Sequence, residues 1–343
     1  MLTRQLFPAK ITTPTPPHYP HPMSNLDHNP TETTCAATPS TTPTTELIPG
    51  HEVALGGIRD TTTVHRTLPS RTRRMIGAFC FIDHYGPHPA HTHPMNVPPH
   101  PHTGLQTVSW LISGHVQHRD STGRHQTFTN GELGLMTAGH GITHSENTTP
   151  DTPPTLHGFQ LWIALPDHAR NTTPHFEHHP HLPTDGTTTV ILGTHNGTTS
   201  PATTHTPLLF LQIQLPPNTT HTIPLNPHHE HGALTATGNP TIDNTPLPPG
   251  PLLYLGTNRT TLTITTHDQP TTLLILGGEP FQEEIVMWWN LIARDHDEIV
   301  TARQAWENHD PRFGTVTGYT GKGTRLDAPP MPTTRLKPRG RTR

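Results

Sequence analysis

The chain has few cysteines, few lysines and no long apolar run. Its 343 residues include two cysteines, Cys35 and Cys80, too few for the disulfide framework of a small secreted protein. No apolar run approaches the roughly 20 residues of a membrane-spanning helix, and the N-terminus lacks the charged and apolar stretches of a secretory signal. We therefore expect a cytoplasmic protein that does not contact a membrane.

Basic residues are scarce and unevenly placed. The formal net charge is −4 and the sequence pI is about 6.8, whereas a nucleic-acid-binding domain usually carries a basic face. The one basic run is at the C-terminus, with Arg335, Lys337, Arg339, Arg341 and Arg343. Since a short basic end is usually solvated, we predict a flexible basic tail over residues 319–343 and no nucleic-acid partner.

Proline and glycine are abundant, with 42 and 27 residues, and only 29% of the chain is hydrophobic. This composition disfavours long helices and favours short strands joined by turns. Residues 1–48 form a Pro/Thr/His-rich tract without periodicity, which we predict to be disordered. Either Met1 or Met23 could be the start of the protein.

Short apolar runs bounded by glycine and proline begin near His51 and fall into two successive sets. The clearest runs are 75–82, 105–112, 159–165, 208–215, 252–255 and 273–276. Each run has the length of a strand. A polar connector, residues 166–189, separates the first set from the second. The pattern predicts a mainly all-β protein with two small barrels in tandem.

A different pattern follows Gly277 and Gly278. Residues 283–307 contain neither glycine nor proline, and their apolar residues recur at the spacing of an amphipathic helix. We predict a C-terminal helical segment over residues 283–318, formed by one long helix or by two in succession. Its tryptophans are expected to pack it against a barrel; they are Trp288, Trp289 and Trp306.

Histidine is in excess, at 31 of 343 residues, so a histidine motif needs support from its context. Roughly three H-x-H pairs are expected by chance in so biased a chain, and four occur, beginning at 91, 100, 179 and 229. The pair His100 and His102 leads into a strand pattern that ends at a turn glycine. A second pair, His144 and Glu146, follows the hairpin signal Asn130-Gly131.

Residues two apart on a strand point to the same face of the sheet. His100 and His102 can therefore reach one ion, and His144 and Glu146 can reach it from a neighbouring strand. Three imidazoles and one carboxylate suit a borderline divalent ion such as iron(II), with manganese, cobalt, nickel or zinc as alternatives. Four protein ligands leave one or two coordination positions free, as a catalytic metal requires.

The stretch from residue 100 to residue 146 resembles the signature of the pirin family, a double-barrel (bicupin) family in the cupin superfamily. The motifs that carry the resemblance are H-P-H-T-G at 100–104 and M-T-A-G-H-G-I-T-H-S-E at 136–146, with further similarity at 79–87, 157–166 and 277–281. The likeness covers roughly residues 50–325 and leaves out both tails.

This resemblance implies a metal-binding first cupin domain over residues 49–170 and a metal-free second cupin domain over residues 171–282. It implies one metal ion, usually iron in this family. The implied ligands are His100, His102, His144 and Glu146. One departure is Gln106, where the general cupin motif has a glutamate, and we expect it to bear on proton handling rather than on metal binding. The second domain's histidines are expected to face solvent; they are His221, His228, His229 and His231.

The resemblance also carries expectations about function. Some pirin-like proteins resemble quercetin 2,3-dioxygenases, which open the central ring of a flavonol with O₂ and release CO. We therefore predict a metal-dependent dioxygenase for a flavonol-like aromatic substrate, with Glu146 accepting the flavonol hydroxyl proton.

Two other interpretations use the same ligands and stay open. Other pirins are non-enzymatic, redox-sensitive metal-binding regulators that bind protein partners. A bicupin whose metal only holds strands together is the third interpretation. On family likeness we expect a monomer.

Overall fold

The computed structural model describes residues 44–54, 63–321 and 323–342. The tract predicted to be disordered lies outside the described residues as far as residue 43. Met1 and Met23, the two candidate start residues, lie outside them as well. Strands predominate in the described residues, and the two tandem barrels predicted from the sequence are confirmed. No helix in this part of the chain is long and apolar enough to span a membrane.

The first half of the chain supplies twelve strands. In chain order they are β1 (Glu46–Ile48), β2 (His51–Ala54), β3 (Thr63–Leu68), β4 (Phe79–Pro89), β5 (Asn96–His102), β6 (Leu105–Ser113), β7 (Val116–Asp120), β8 (His125–Phe128), β9 (Leu133–Thr137), β10 (Ile142–Thr148), β11 (Thr155–Ala164) and β12 (His175–His179). One sheet of the first barrel has the order β12-β9-β6-β11-β4-β3-β2, and the other has the order β5-β10-β7-β8.

The second half supplies the other barrel. Its strands are β13 (Thr188–His195), β14 (Thr198–Thr199), β15 (Leu208–Leu215), β16 (Thr220–Pro224), β17 (Glu230–Thr237), β18 (Thr241–Ile242), β19 (Thr245–Pro246), β20 (Leu252–Gly256), β21 (Thr261–Thr265) and β22 (Thr271–Gly278). The larger sheet has the order β1-β20-β17-β22-β15-β13-β14, and the smaller sheet has the order β16-β21-β18-β19.

The two seven-stranded sheets pack against each other between the barrels. Strand β6 shows how alternation divides its side chains. Ser109 faces the first barrel's interior, where its hydroxyl bonds Glu146, and Trp110 faces the second barrel, where its indole N–H donates to Gln212. The rings of Phe79 and Phe210 meet across the same boundary, with centroids 6.2 Å apart. One apolar core therefore joins the barrels.

The interiors of the two barrels differ in chemistry. The second barrel is filled with aliphatic side chains, including Leu211, Ile264 and Ile275. The first barrel instead buries imidazoles and carboxylates. Buried polar groups are costly unless they are paired or bind a ligand, so a functional site is to be sought in the first barrel.

Two predicted domain boundaries need correction. Strand β1, placed in the disordered tail by the sequence, pairs with β20 of the second barrel. Strand β12, placed in the second domain, pairs with β9 of the first barrel. Each strand covers what would otherwise be an exposed sheet edge, so long-range pairing rather than local composition decides where these segments belong.

The prediction of a helical segment over residues 283–318 is also wrong for the first third of that segment. Residues 286–293 form a hairpin of β23 (Val286–Trp288) and β24 (Leu291–Ala293), and helix α1 covers only His296–Glu307. A 3₁₀ turn follows at Pro311–Phe313. Asp295 caps α1 by accepting a hydrogen bond from the Glu298 backbone N–H. The hairpin forms because it docks on the first barrel, where Leu291 bridges to Thr103.

The prediction of a flexible C-terminal tail is wrong for residues 323–342. The backbone of Arg339 pairs with Ile285, and Thr342 bridges to Arg73. The guanidinium of Arg341 bonds the carboxylate of Glu230, which is fully buried. A buried carboxylate needs a charged or hydrogen-bonding partner, and the tail supplies one.

Replacement of Arg341 by alanine is expected to lower the free energy of unfolding by about 1–3 kcal/mol. Glu230 keeps its bonds from Tyr254 and from the Gly77 backbone N–H but loses its closest cation. Chemical denaturation measures the change. The control is Arg335→Ala, which breaks an exposed tail pair with Asp297 and should leave stability within the measurement error. Equal effects of the two variants would contradict the expectation.

Candidate metal centre

Two neighbouring strands carry the four predicted ligands into the first barrel. Strand β5 ends with His100 and His102, and β10 contains His144 and Glu146. The strands are antiparallel, with His144 opposite His100. The exposed fractions are 6% for His100, 1% for His102, 1% for His144 and 6% for Glu146. The four side chains therefore lie in the barrel interior.

The three histidines converge on one point. Nε2 of His102 lies 3.0 Å from Nε2 of His144, and the rings of His100 and His144 have centroids 4.4 Å apart. The candidate ligand nitrogens of all three rings lie within 4.8 Å of one another. Such a cluster can hold a divalent ion.

Hydrogen bonds fix which nitrogen two of these rings present. Nδ1 of His100 lies 2.8 Å from the Pro98 carbonyl oxygen, and Nδ1 of His102 lies 2.9 Å from that of Asn290. A carbonyl can only accept, so in the neutral rings Nδ1 carries the hydrogen and Nε2 presents a lone pair. Ligand histidines are commonly oriented by such backbone contacts, so the donor set fits a metal ion.

Burial keeps these histidines neutral. It lowers the pKa of His100 to about 4, and it lowers the pKa values of His102 and His144 well below their usual range, helped by the neighbouring imidazoles. Neutral imidazole is the form that binds a metal. The cluster therefore needs no deprotonation at neutral pH before an ion can bind.

Glu146 lies beside the trio rather than within it. A β-bulge in β5, where Pro98 and Pro99 together lie opposite Ser145, shifts the register between His144 and Glu146, so that Glu146 lies opposite Val97 on β5 and His118 on β7. Its carboxylate lies within 4.8 Å of candidate ligand nitrogens of His144 and His118. The structure thus gathers three of the predicted ligands and places the fourth next to His144.

The environment of Glu146 strengthens it as a base. Burial raises the pKa of its carboxyl, although His118 and a hydrogen bond from Ser109 oppose the rise. Ser109 Oγ lies 2.9 Å from Oε1 of Glu146 and 2.9 Å from the side chain of Gln160. The Ser109 hydroxyl has one hydrogen and can donate it to only one of these two acceptors at a time. Since Oε1 takes the Ser109 contact, Oε2 is the oxygen left for a proton or a cation.

Three residues of the site were missed by sequence reasoning. His118 and Asp120 lie on β7, where Nε2 of His118 is 2.9 Å from Oδ2 of Asp120 and Nδ1 is 3.4 Å from Nδ1 of His144. Asn290 reaches His102 from 188 positions away. The H-x-D spacing on a strand was a usable signal for the first two, whereas nothing local marks Asn290.

The turn of the C-terminal hairpin brings Asn290 to the site. Trp289 has φ 53°, a left-handed conformation that is strained for a bulky residue. Gly104 allows the close approach, since a Cβ there would lie 2.5 Å from the carbonyl oxygen of Ile292. The glycine of the H-P-H-T-G motif thus serves the docking of the hairpin.

Aromatic rings and one ion pair line the same interior. Trp162 meets His102 edge to face at 5.1 Å and stacks on Phe81 at 4.1 Å. The guanidinium of Arg66 lies over Phe81 and forms two bonds to Asp83, of 2.7 and 2.5 Å. Phe81 is thus covered on both faces, and Trp162 is the aromatic ring next to the histidine cluster that is placed to contact an aromatic ligand.

The expectations for two other residues are wrong. Gln106 faces away from the cluster, because its side-chain amide donates to Thr137 and to the Thr203 carbonyl, so it has no direct part in proton handling there. His231, expected to face solvent, is fully buried at the start of β17. Its alternation with Ala233, which lies in the second barrel's interior core, directs its ring inward.

Two family models match the chain. The model described as Pirin matches residues 61–163, and the model described as Pirin C-terminal cupin domain matches residues 210–314. The first range contains the histidine cluster and Glu146, and the second contains most of the second barrel.

Individual proteins are similar over both barrels. A Pseudomonas aeruginosa protein named "Putative quercetin 2,3-dioxygenase" is 43% identical over 284 residues, which are 81% of this chain and 87% of that protein. Pirin of Homo sapiens is 29% identical over 240 residues, or 67% of this chain and 82% of the human protein. A crystal structure of quercetin 2,3-dioxygenase from Acinetobacter baumannii has a TM-score of 0.79 and 42% identity, covering 85% of this chain and 97% of that one.

Proposed function

This chain belongs to the pirin family, and from that premise we propose that it is a metal-dependent dioxygenase acting on a flavonol-like aromatic substrate. The observation that carries the proposal is the convergence of three neutral imidazoles beside a buried carboxylate. The relatives named quercetin 2,3-dioxygenase, at 43% and 42% identity, support the substrate class.

The metal site of the proposal consists of His100, His102, His144 and Glu146. Three imidazole nitrogens and one carboxylate oxygen suit a borderline divalent ion, with iron(II) as the first choice and manganese, cobalt, nickel or zinc as alternatives. When bound, the ion supplies Lewis-acid polarisation and a route for electrons between the substrate and O₂.

Glu146 is proposed to accept the hydroxyl proton of the flavonol. Its raised pKa makes it a stronger base than an exposed glutamate. Ser109 donates to Oε1, which leaves Oε2 to take the proton, and because Glu146 is also a proposed ligand it does so by shifting or sharing its coordination. Burial of the site at 6% exposure or less keeps water away from the deprotonated substrate. Trp162, which meets His102 edge to face, offers the aromatic surface beside the cluster against which the substrate ring can pack.

Aerobic incubation of the iron(II)-loaded protein with quercetin tests the activity. We expect the flavonol absorbance to fall together with uptake of O₂ and release of CO. Glu146→Gln, compared per bound iron, is expected to lower kcat by about 10²–10⁴-fold, the usual contribution of a general base. His144→Ala is the inactive control.

Turnover of the metal-loaded protein no faster than the His144→Ala control would defeat the dioxygenase proposal for this substrate. The assignment would then move to a non-enzymatic, redox-sensitive metal-binding regulator that acts through a protein partner. Pull-down of partners with the iron(II) and iron(III) forms would address that function.

A further inference from the structure

The three histidines of the cluster differ in what holds their Nδ1 atoms. His100 and His102 each face a backbone carbonyl oxygen, at 2.8 and 2.9 Å. His144 faces another ring instead, since its Nδ1 lies 3.4 Å from Nδ1 of His118. Two imidazole nitrogens can form a hydrogen bond only if one of them carries a hydrogen and the other does not. The tautomer of His144 therefore depends on that of His118.

The tautomer of His118 depends in turn on Asp120. Nε2 of His118 lies 2.9 Å from Oδ2 of Asp120, and a carboxylate oxygen accepts. In the neutral form of the ring, the hydrogen of His118 is then on Nε2 and the lone pair on Nδ1. His118 can accept the Nδ1–H of His144, which leaves Nε2 of His144 as a lone pair facing His102.

We propose that Asp120 and His118 are positioning residues that fix His144 in its metal-binding tautomer. This inference rests on the metal site proposed above. This arrangement makes His144 equivalent to His100 and His102. The Nδ1–H of each ring then has an acceptor, and each Nε2 is free to bind the same metal ion. Such carboxylate–histidine contacts behind a metal ligand typically change metal affinity 10–100-fold when they are removed.

Packing holds both residues in place. The ring of His118 stacks on Phe176 with centroids 4.0 Å apart and planes 15° apart. Asp120 is 1% exposed. Its second oxygen, Oδ1, accepts from the backbone N–H and hydroxyl of Thr122, at 2.8 and 2.6 Å, and from the Arg124 backbone N–H at 3.3 Å. Oδ2 therefore cannot turn away from His118 without breaking the turn.

Asp120→Asn tests the proposal with a change of one atom. The turn donors keep the amide oxygen at the Oδ1 position, so the amide NH₂ faces Nε2 of His118. His118 must then accept at Nε2 and carry its hydrogen on Nδ1, where it meets the Nδ1–H of His144. We expect the Kd for cobalt(II) to rise about 10–100-fold, with one ion still bound at saturation.

Asp185→Asn is the matched control. Asp185 accepts from the backbone N–H groups of Thr187 and Thr188 in a similar turn, with no hydrogen bond to a histidine among the described residues. Its variant should bind cobalt(II) with the wild-type Kd. His118→Phe retains the flat ring against Phe176, and it should weaken cobalt(II) binding without abolishing it.

Proton NMR of the cobalt(II)-loaded proteins gives a readout that general loosening of the fold would not produce. Wild-type protein should show a hyperfine-shifted, exchangeable ring N–H signal from each of His100, His102 and His144. In Asp120→Asn the signal of His144 should move or vanish while the other two persist.

The outcomes separate this inference from the metal site itself. Failure of the wild-type protein to bind cobalt(II) would contradict both the positioning role and the proposed metal site. Wild-type binding combined with an unchanged Kd and an unchanged His144 signal in Asp120→Asn would overturn the positioning role alone. Complete loss of saturable binding in His118→Phe would also overturn it, since His118 would then be a ligand.

Discussion

His144→Ala is expected to remove the bound metal ion, reducing the content from about one ion per chain to background. His144 lies between the two ends of the site: its Nε2 is 3.0 Å from that of His102, and its other side faces His118 and the carboxylate of Glu146. The variant leaves two imidazoles from one strand and the carboxylate of Glu146, which lies opposite His118. Elemental analysis of purified protein measures the loss.

Two further variants make this result specific. His140→Ala removes an exposed histidine four positions earlier in the chain and should leave the metal content unchanged. His144→Gln retains most of the side-chain volume, so a loss of metal in a variant that unfolds like the wild-type protein cannot be attributed to a cavity. Full metal content in both His144 variants would remove the basis for the proposed site and for the dioxygenase activity.

Asp83→Ala is expected to destabilise the protein by about 3–5 kcal/mol. The side chains of Arg66 and Asp83 are 7% and 4% exposed and form two bonds, of 2.7 and 2.5 Å. Removal of the carboxylate leaves a guanidinium buried beside Phe81 without a charged partner. Since natural domains are stable by only about 5–15 kcal/mol, much of the stability would be lost. Urea denaturation of wild type and variant measures the difference.

A double replacement separates the cost of the unpaired charge from the loss of the pair. Burial raises the pKa of Asp83 more than the attraction of Arg66 lowers it, so the pair is expensive to bury. Asp83→Leu combined with Arg66→Met should therefore be less destabilised than Asp83→Ala alone. Asp167→Ala, which breaks an exposed pair with Arg170, should change little. A double variant as unstable as Asp83→Ala would contradict this account.

Local sequence was informative where the alternation along a single strand decides which way a side chain points. His100 and His102 share a face because side chains alternate along β5, and the same rule brings His144 to the same interior. The rule did not foresee the bulge that sets Glu146 beside the trio. The extra residue lies in β5, where Pro98 and Pro99 together face Ser145, and it is a property of the pairing between the two strands rather than of β10 itself.

The C-terminal region shows the limit of periodicity. The apolar residues of 285–292 fit a helix, yet this stretch forms a hairpin because it docks on Thr103 and Gly104. The basic tail was expected to be solvated, yet Arg341 reaches the buried Glu230, 111 positions away. In both cases contacts distant in the chain outweighed a weak local preference.

The sequence by itself determined the double β-barrel and the histidines that meet in the first barrel, because strand alternation and turn residues act over a few positions. The acceptor for His100 is local, the Pro98 carbonyl two residues earlier, but tertiary structure alone decided which nitrogen His102 and His144 present. The acceptors that settle it are Asn290, and His118 backed by Asp120, which lie on other segments of the chain. A hydrogen bond requires atoms about 3 Å apart, and only the folded chain brings these atoms together.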